Sequence, residues 1–141
     1  MSDARFQYSV DIFRVEVHRA NPANDPEETF WQISAANIPE IGLMLLGYLR
    51  RAEPDGWAQI QLGCRLRSVT WKEATRSKAA RAKFEDWVAE YPAENMYDVA
   101  RRALQTQAAL MDFSFDLDIS APDYELVYQG RETATKTANE A

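Results

Sequence analysis

Residues 112–120 read Asp-Phe-Ser-Phe-Asp-Leu-Asp-Ile-Ser, and apolar and polar side chains alternate through the whole stretch. Successive side chains of a β-strand point to opposite faces, so this pattern predicts a strand with one apolar face and one acidic face. A strand of this kind packs on a core through one face and meets water through the other. We therefore expect residues 112–120 to form the central strand of a small antiparallel sheet that helices cover on one side.

Similar alternation in other segments predicts the remaining strands. It recurs at 30–35, 58–67 and 124–129. Residues 5–18 hold two alternating runs that are out of phase and meet at Ile12 and Phe13. One extra residue at that point restores the register, so we predict a single long strand with a β-bulge.

Three segments with apolar side chains at helical spacing predict helices at 38–51, 71–91 and 95–111. Thr70 and Glu73 have the spacing of a capping box at the start of the second. The first predicted helix is apolar on more than one face, and a helix of this kind is deeply buried or covered by a second subunit. A homodimer is therefore one expectation.

The predicted order of elements is β-β-α-β-α-α-β-β. Strands and helices do not alternate strictly, which favours an α+β fold: a single domain with a mostly antiparallel sheet of about five strands packed against three helices. We place this domain at residues 1–130. Residues 131–141 offer almost no apolar surface to bury, so we expect a disordered C-terminal tail there.

Composition narrows the function classes. The 141 residues are 46% hydrophobic and 27% charged, as in ordinary globular proteins, and no apolar run approaches the roughly 20 residues of a membrane-spanning helix. The start of the chain lacks the features of a signal peptide, so we expect a cytoplasmic protein without membrane association. Cys64 and His18 are the only residues of their kinds, which excludes a zinc site built from histidines and cysteines of one chain. We expect no cofactor and no metal.

The charges are unevenly distributed along the chain. The net charge is −6, yet residues 65–83 hold seven bases and one acid, whereas residues 84–125 hold ten acids and two bases. The acidic residues Asp112, Asp116 and Asp118 fall on the polar face of the predicted central strand. We interpret them as an acidic surface that steers a protein partner, with Trp57 and Tyr97 as exposed aromatic anchors.

This combination favours a non-catalytic protein-binding module. One specific form is an acidic inhibitor or immunity-type protein that covers a basic, nucleic-acid-handling surface of its target. No nucleophile motif accompanies His18 and no glycine-rich phosphate loop is present, so the sequence favours a non-enzyme, with no catalytic residues assigned.

Two alternatives remain open. The first is nucleic-acid binding through bases of the 65–83 block, because phosphate backbones bind to clustered cations. The residues assigned to it are Arg65, Arg67, Lys72, Arg76 and Lys83. The second is metal-dependent phosphoryl transfer, in which Asp116 and Asp118 hold Mg²⁺ or Mn²⁺. That site needs a third acid, and Asp11 qualifies only if its strand adjoins the central one.

Overall fold

The computed structural model describes residues 8–129. Within this range the strands are β1 (Tyr8–His18), β2 (Glu28–Ile38), β3 (Gly42–Glu53), β4 (Gly56–Leu66) and β5 (Leu126–Gln129). The helices are α1 (Trp71–Thr75), α2 (Lys78–Glu90) and α3 (Pro92–Ala109). The tail predicted at residues 131–141 lies outside the described residues.

The five strands form one sheet in the order β1-β4-β3-β2-β5. The β1/β4, β4/β3 and β3/β2 pairs are antiparallel, and β5 adds to β2 in parallel. The predicted α+β class with a mostly antiparallel sheet is therefore confirmed. The predicted β-bulge is also present, because the β1/β4 register shifts between Ile12 and Arg14.

The helix predicted at residues 38–51 is wrong, because this segment contains a tight turn followed by β3. Positive φ angles at Glu40 (68°) and Gly42 (104°) reverse the chain between β2 and β3. In β3, Leu45 and Leu49 face the core, whereas Met44 and Tyr48 on the opposite face are half-buried. A strand that is apolar on both faces mimics a two-sided apolar helix in sequence. The feature that suggested a second subunit thus belongs to a central strand.

The strand predicted at residues 112–120 is also wrong, although its alternation is real. Phe115 is buried and Asp116 is exposed, but the segment pairs with no strand of the sheet. The side-chain amide of Gln105 donates to the Phe115 carbonyl oxygen (2.6 Å) and accepts from the Phe115 N–H (2.9 Å). The Asp116 N–H donates to a Glu53 carboxylate oxygen at 2.7 Å. Side chains of α3 and β3 thus satisfy backbone groups that a neighbouring strand would otherwise pair.

The core lies between one face of the sheet and the helices. Its α3 residues recur at helical spacing and are fully buried: Met96, Ala100, Leu104 and Ala108. The capping box of Thr70 and Glu73 is present, but the helix it opens is only α1. Ser77 caps α2 separately, so the second predicted helix is divided in two. None of the helices between residues 8 and 129 has both the length and the hydropathy that a membrane crossing requires.

Candidate protein-binding surface

The acidic residues predicted to bind a partner are on the surface, but not on a sheet face. Asp112, Asp116 and Asp118 are all exposed along the extended segment that follows α3. None of them takes part in an ion pair within residues 8–129. We call residues 112–118 the acidic segment. The acidic segment is therefore available for electrostatic contact with a partner. It lies at one end of the sheet, beside Glu53 at the end of β3.

Tyr97 was wrongly expected to be exposed. It is 1% exposed, with its ring 5.5 Å from the Trp31 ring in an edge-on arrangement. Its hydroxyl donates to the Asp118 carbonyl oxygen at 2.6 Å, and burial raises the pKa of this phenol. Tyr97 is unavailable to a partner because it anchors the acidic segment to α3.

Trp57 is half-buried and already has contacts of its own. Its indole N–H donates to a carboxylate oxygen of Asp25 at 3.1 Å, and its ring centre lies 5.8 Å from that of His18. These contacts fix the loop between β1 and β2 against the sheet. Trp57 therefore offers a partner only part of its surface.

The five basic residues of the alternative nucleic-acid site are exposed but fall into two groups. Arg65, Arg67 and Lys72 line one cleft, whereas Arg76 and Lys83 do not contribute to it. The cleft thus gathers three of the five assigned bases and leaves two outside it. A phosphate backbone binds to a basic patch or stripe that extends along the surface.

The structure does not bring together the three acids that the metal-site alternative requires. Asp11 pairs with Gly63 in the middle of the β1/β4 ladder, whereas Asp116 contacts Glu53 at the end of β3. In the part of the chain that the structure describes, no three His, Cys, Asp or Glu side chains converge on a possible metal position.

The surface that sequence reasoning missed is the side of the sheet opposite the helices, which we call the open face. It carries Phe13 of the edge strand β1, which is 56% exposed although it is a large apolar residue. The β-bulge places the Phe13 ring against the backbone of Gly63, beside the side chain of Met44. Gly63 thus forms the seat on which this aromatic ring lies.

Around Phe13 the open face presents a shallow depression with a mixed lining. Its volume is about 290 Å³, and it is lined by Phe13, Gln32, Ser34, Leu46, Tyr48 and Gln61. The Tyr48 ring lies 5.9 Å from that of Phe30, and the Tyr48 hydroxyl donates to Gln59 at 2.9 Å. Aromatic residues are enriched at protein–protein interfaces, which combine apolar surface with a limited number of hydrogen bonds.

Two groups of charges at the margins of the open face form ion pairs. Glu16 accepts from Arg14 and contacts His18, each at 2.7 Å, and Arg50 donates to Glu28 at 2.7 Å. Hydrogen bonds from His18 and then Gln59 lower the pKa of Glu16 from 4.5 to about 2, so it is ionised at neutral pH. Because Arg14, His18 and Arg50 each contact an acid, the surface around them carries mixed charge and not positive charge alone.

One sequence signal pointed towards the open face. The phase change at Ile12 and Phe13 marks the β-bulge, and Phe13 is the residue that this bulge leaves without a partner in β4. Met44 and Tyr48 gave no such signal, because helical spacing also accounted for them, and Leu46 was interpreted as part of a second apolar face of the same predicted helix. Comparison with protein-family models, with curated proteins and with solved structures finds no significant match to this chain.

Proposed function

We propose that this chain is a non-catalytic protein-binding module, whose open face binds an apolar or aromatic segment of another polypeptide. The observation that carries the proposal is that Phe13 is 56% exposed while its ring packs against the backbone of Gly63. Exposed aromatic residues that are held in place lose little conformational entropy on binding, and they commonly dominate interface energies.

The charge pattern supports an apolar partner over a nucleic acid at this face. Arg14 and Arg50 are the basic residues beside the aromatic rings, and both already bind carboxylates. Arg50 also lies over the Phe30 ring, 5.3 Å from its centre. Nucleic-acid binding draws most of its affinity from unpaired cations that displace counterions from phosphates. Around Phe30 and Tyr48 the open face therefore offers aromatic surface without a surplus of unpaired positive charge.

A more specific proposal adds the acidic segment. Asp112, Asp116 and Asp118 are exposed and unpaired within the described residues, so they present negative charge to an approaching basic partner. Such charges raise association rates more than they raise final affinity. An inhibitor or immunity-type protein would use the acidic segment for steering and the open face for contact.

A peptide array tests the proposal directly. Immobilised extended peptides, graded in aromatic and apolar content and in charge, are probed with the purified protein, and selected peptides are then titrated in solution. We expect binding to increase with aromatic and apolar content. The variant Phe13→Ser should weaken it about tenfold, as is usual for loss of an exposed aromatic anchor.

Ile119→Ser is the matched control, because Ile119 is also apolar, is 80% exposed and lies beyond the acidic segment. It should bind peptides as the wild type does. Absence of binding by the wild type, or equal loss in the two variants, would overturn the open face as the binding surface. Replacing Asp112, Asp116 and Asp118 by Asn should slow association with basic peptides at low salt, and unchanged rates would overturn the steering role.

A further inference from the structure

A cleft lies at one end of the sheet, between the turn that joins β2 to β3 and the connection from β4 to α1. Its volume is about 530 Å³. Pockets that hold small ligands are commonly about 300–1,000 Å³. The cleft is formed by backbone and side chains of two loops that flank the ends of adjacent strands, and it is separate from the depression around Phe13.

The charge of the cleft is opposite to that of the chain. Arg65, Arg67 and Lys72 line it, and no Asp or Glu is among its lining residues, although the chain has 22 acids and 16 bases. The neighbouring Glu73 is held by the α1 cap, where it accepts from the Thr70 hydroxyl at 2.9 Å. The cleft therefore combines three positive side chains without an internal counter-charge.

These three bases are also unpaired within residues 8–129. Ion pairs occupy the arginines of β1, β3 and α3, such as Arg14, Arg50 and Arg102, but none involves Arg65, Arg67 or Lys72. Cations gathered around a concave surface repel one another, and a bound anion relieves that repulsion. Arginine in particular matches the paired oxygens of a phosphate group.

One wall of the cleft is apolar. Ile41 is 43% exposed there, and Val69 and Trp71 are half-buried beside it. The Trp71 ring is held edge-on against Tyr128, with ring centres 6.1 Å apart, so its orientation is fixed. An anion that carries a planar or apolar group would cover this wall and bring its charge to the bases.

We infer that this cleft binds a small organic phosphate of about mononucleotide size, with the phosphate at Arg65, Arg67 and Lys72 and the planar group against Ile41 and Trp71. Arg65 and Arg67 supply paired donors to the phosphate oxygens, and Lys72 supplies a single positive charge. The cleft has the dimensions of a small-molecule site, in contrast to the continuous stripe that a nucleic-acid strand requires.

Titration calorimetry with four probes tests this inference: AMP, ATP, inorganic pyrophosphate and adenosine. We expect saturable binding of both nucleotides, tighter than that of pyrophosphate, and no binding of adenosine. Affinity should fall as salt is raised, because the contacts are ionic. Failure of both nucleotides to saturate the protein at low salt would overturn the site, and pyrophosphate binding as tight as ATP binding would overturn the assigned ligand class.

A pair of double variants locates the site. Arg67→Gln with Lys72→Gln removes two charges from the cleft and should weaken nucleotide binding about tenfold or more. Arg76→Gln with Lys83→Gln removes the same charge from exposed positions outside the cleft and should change it less than about twofold. Equal losses in the two pairs would show non-specific attraction and overturn the inference. Thermal melts of both pairs exclude unfolding as the cause.

Discussion

Gly47 and Gly63 lie on adjacent strands, and a side chain added at each would project from opposite faces of the sheet. Replacing each glycine by alanine in turn therefore tests the packing of both faces. Gly47 of β3 pairs with Leu62, and Gly63 of β4 pairs with Leu46. Neighbouring side chains cover both glycines, so both are buried. A methyl group added at Gly47 enters the core, whereas one added at Gly63 enters the open face beneath Phe13.

At Gly47 the added carbon has no free space. A Cβ there would lie 2.8 Å from Met96 Cε, 3.0 Å from Leu62 Cδ2 and 3.2 Å from Trp31 Cη2. All three neighbours are buried, so none can move without disturbing others. Overpacking of a core costs about 1–3 kcal/mol, and the lower backbone entropy of alanine offsets about 0.5–1 kcal/mol of it. We expect Gly47→Ala to lower the free energy of unfolding by about 1–2 kcal/mol.

At Gly63 the added carbon meets the Phe13 ring and Met44 Cε. The added carbon can push the Phe13 ring outward, because that ring is 56% exposed and has solvent beyond it, and Met44 is a half-buried, flexible side chain. The same substitution should therefore change the free energy of unfolding by less than about 0.5 kcal/mol. It should also weaken peptide binding, because it displaces the aromatic ring from its seat.

Urea unfolding followed by circular dichroism measures both effects, with thermal melts as a second measurement. A loss of 1 kcal/mol lowers Tm by roughly 3 °C in a chain of this size, so Gly47→Ala should melt several degrees below the wild type. Equal destabilisation by the two substitutions would refute the reasoning, because it would mean that the open face is covered in solution, for example by a second copy. Wild-type stability of Gly47→Ala would refute the packing of α3 on the sheet.

Three further predictions concern single side chains. Burial, with the Asp11 carboxylate adding to it, raises the pKa of Cys64 to about 12, so a thiol reagent at about pH 8 should label it only in urea; labelling of the folded protein would contradict this. The folded pKa of Glu16 is about 2, below its ordinary value of 4.5, so the stabilisation it provides is present above pH 4.5 and is lost as the pH falls towards 2. Glu16→Gln should lower Tm at neutral pH, and the difference should vanish near pH 2; a difference independent of pH would count against the hydrogen bonds of Glu16. Tyr97→Phe removes the 2.6 Å hydrogen bond to the Asp118 carbonyl oxygen and should cost about 0.5–1.5 kcal/mol in urea unfolding, whereas wild-type stability would show that this contact is absent in solution.

Much of the fold follows from local patterns. The alternation of residues 58–67 identifies β4, the phase change at Ile12 and Phe13 identifies the β-bulge, and the spacing of Thr70 and Glu73 identifies a helix cap. Each pattern depends on neighbours within a few positions, where backbone geometry alone decides which side chains share a face. The same local alternation places Asp112, Asp116 and Asp118 on the exposed side of their segment.

The candidate sites depended on contacts between distant segments. The sequence places Tyr97 off the main helical stripe, yet Trp31 and the backbone of Asp118 enclose it. Phe13 becomes a possible anchor only because Gly63 of another strand leaves room for its ring. The cleft combines Ile41 with bases more than 20 positions further along the chain.

By itself, the amino-acid sequence determined which side chains prefer to be buried, the α+β class and the uneven distribution of charge. It did not determine which extended segments become strands, because side-chain periodicity records burial and not the pairing of backbone groups. Residues 42–53 are a strand because β2 and β4 lie on either side of them, and residues 112–118 are not, because Gln105 and Glu53 satisfy part of their backbone. Tertiary structure therefore decided where the sheet ends, and with it which apolar residues remain on the open face.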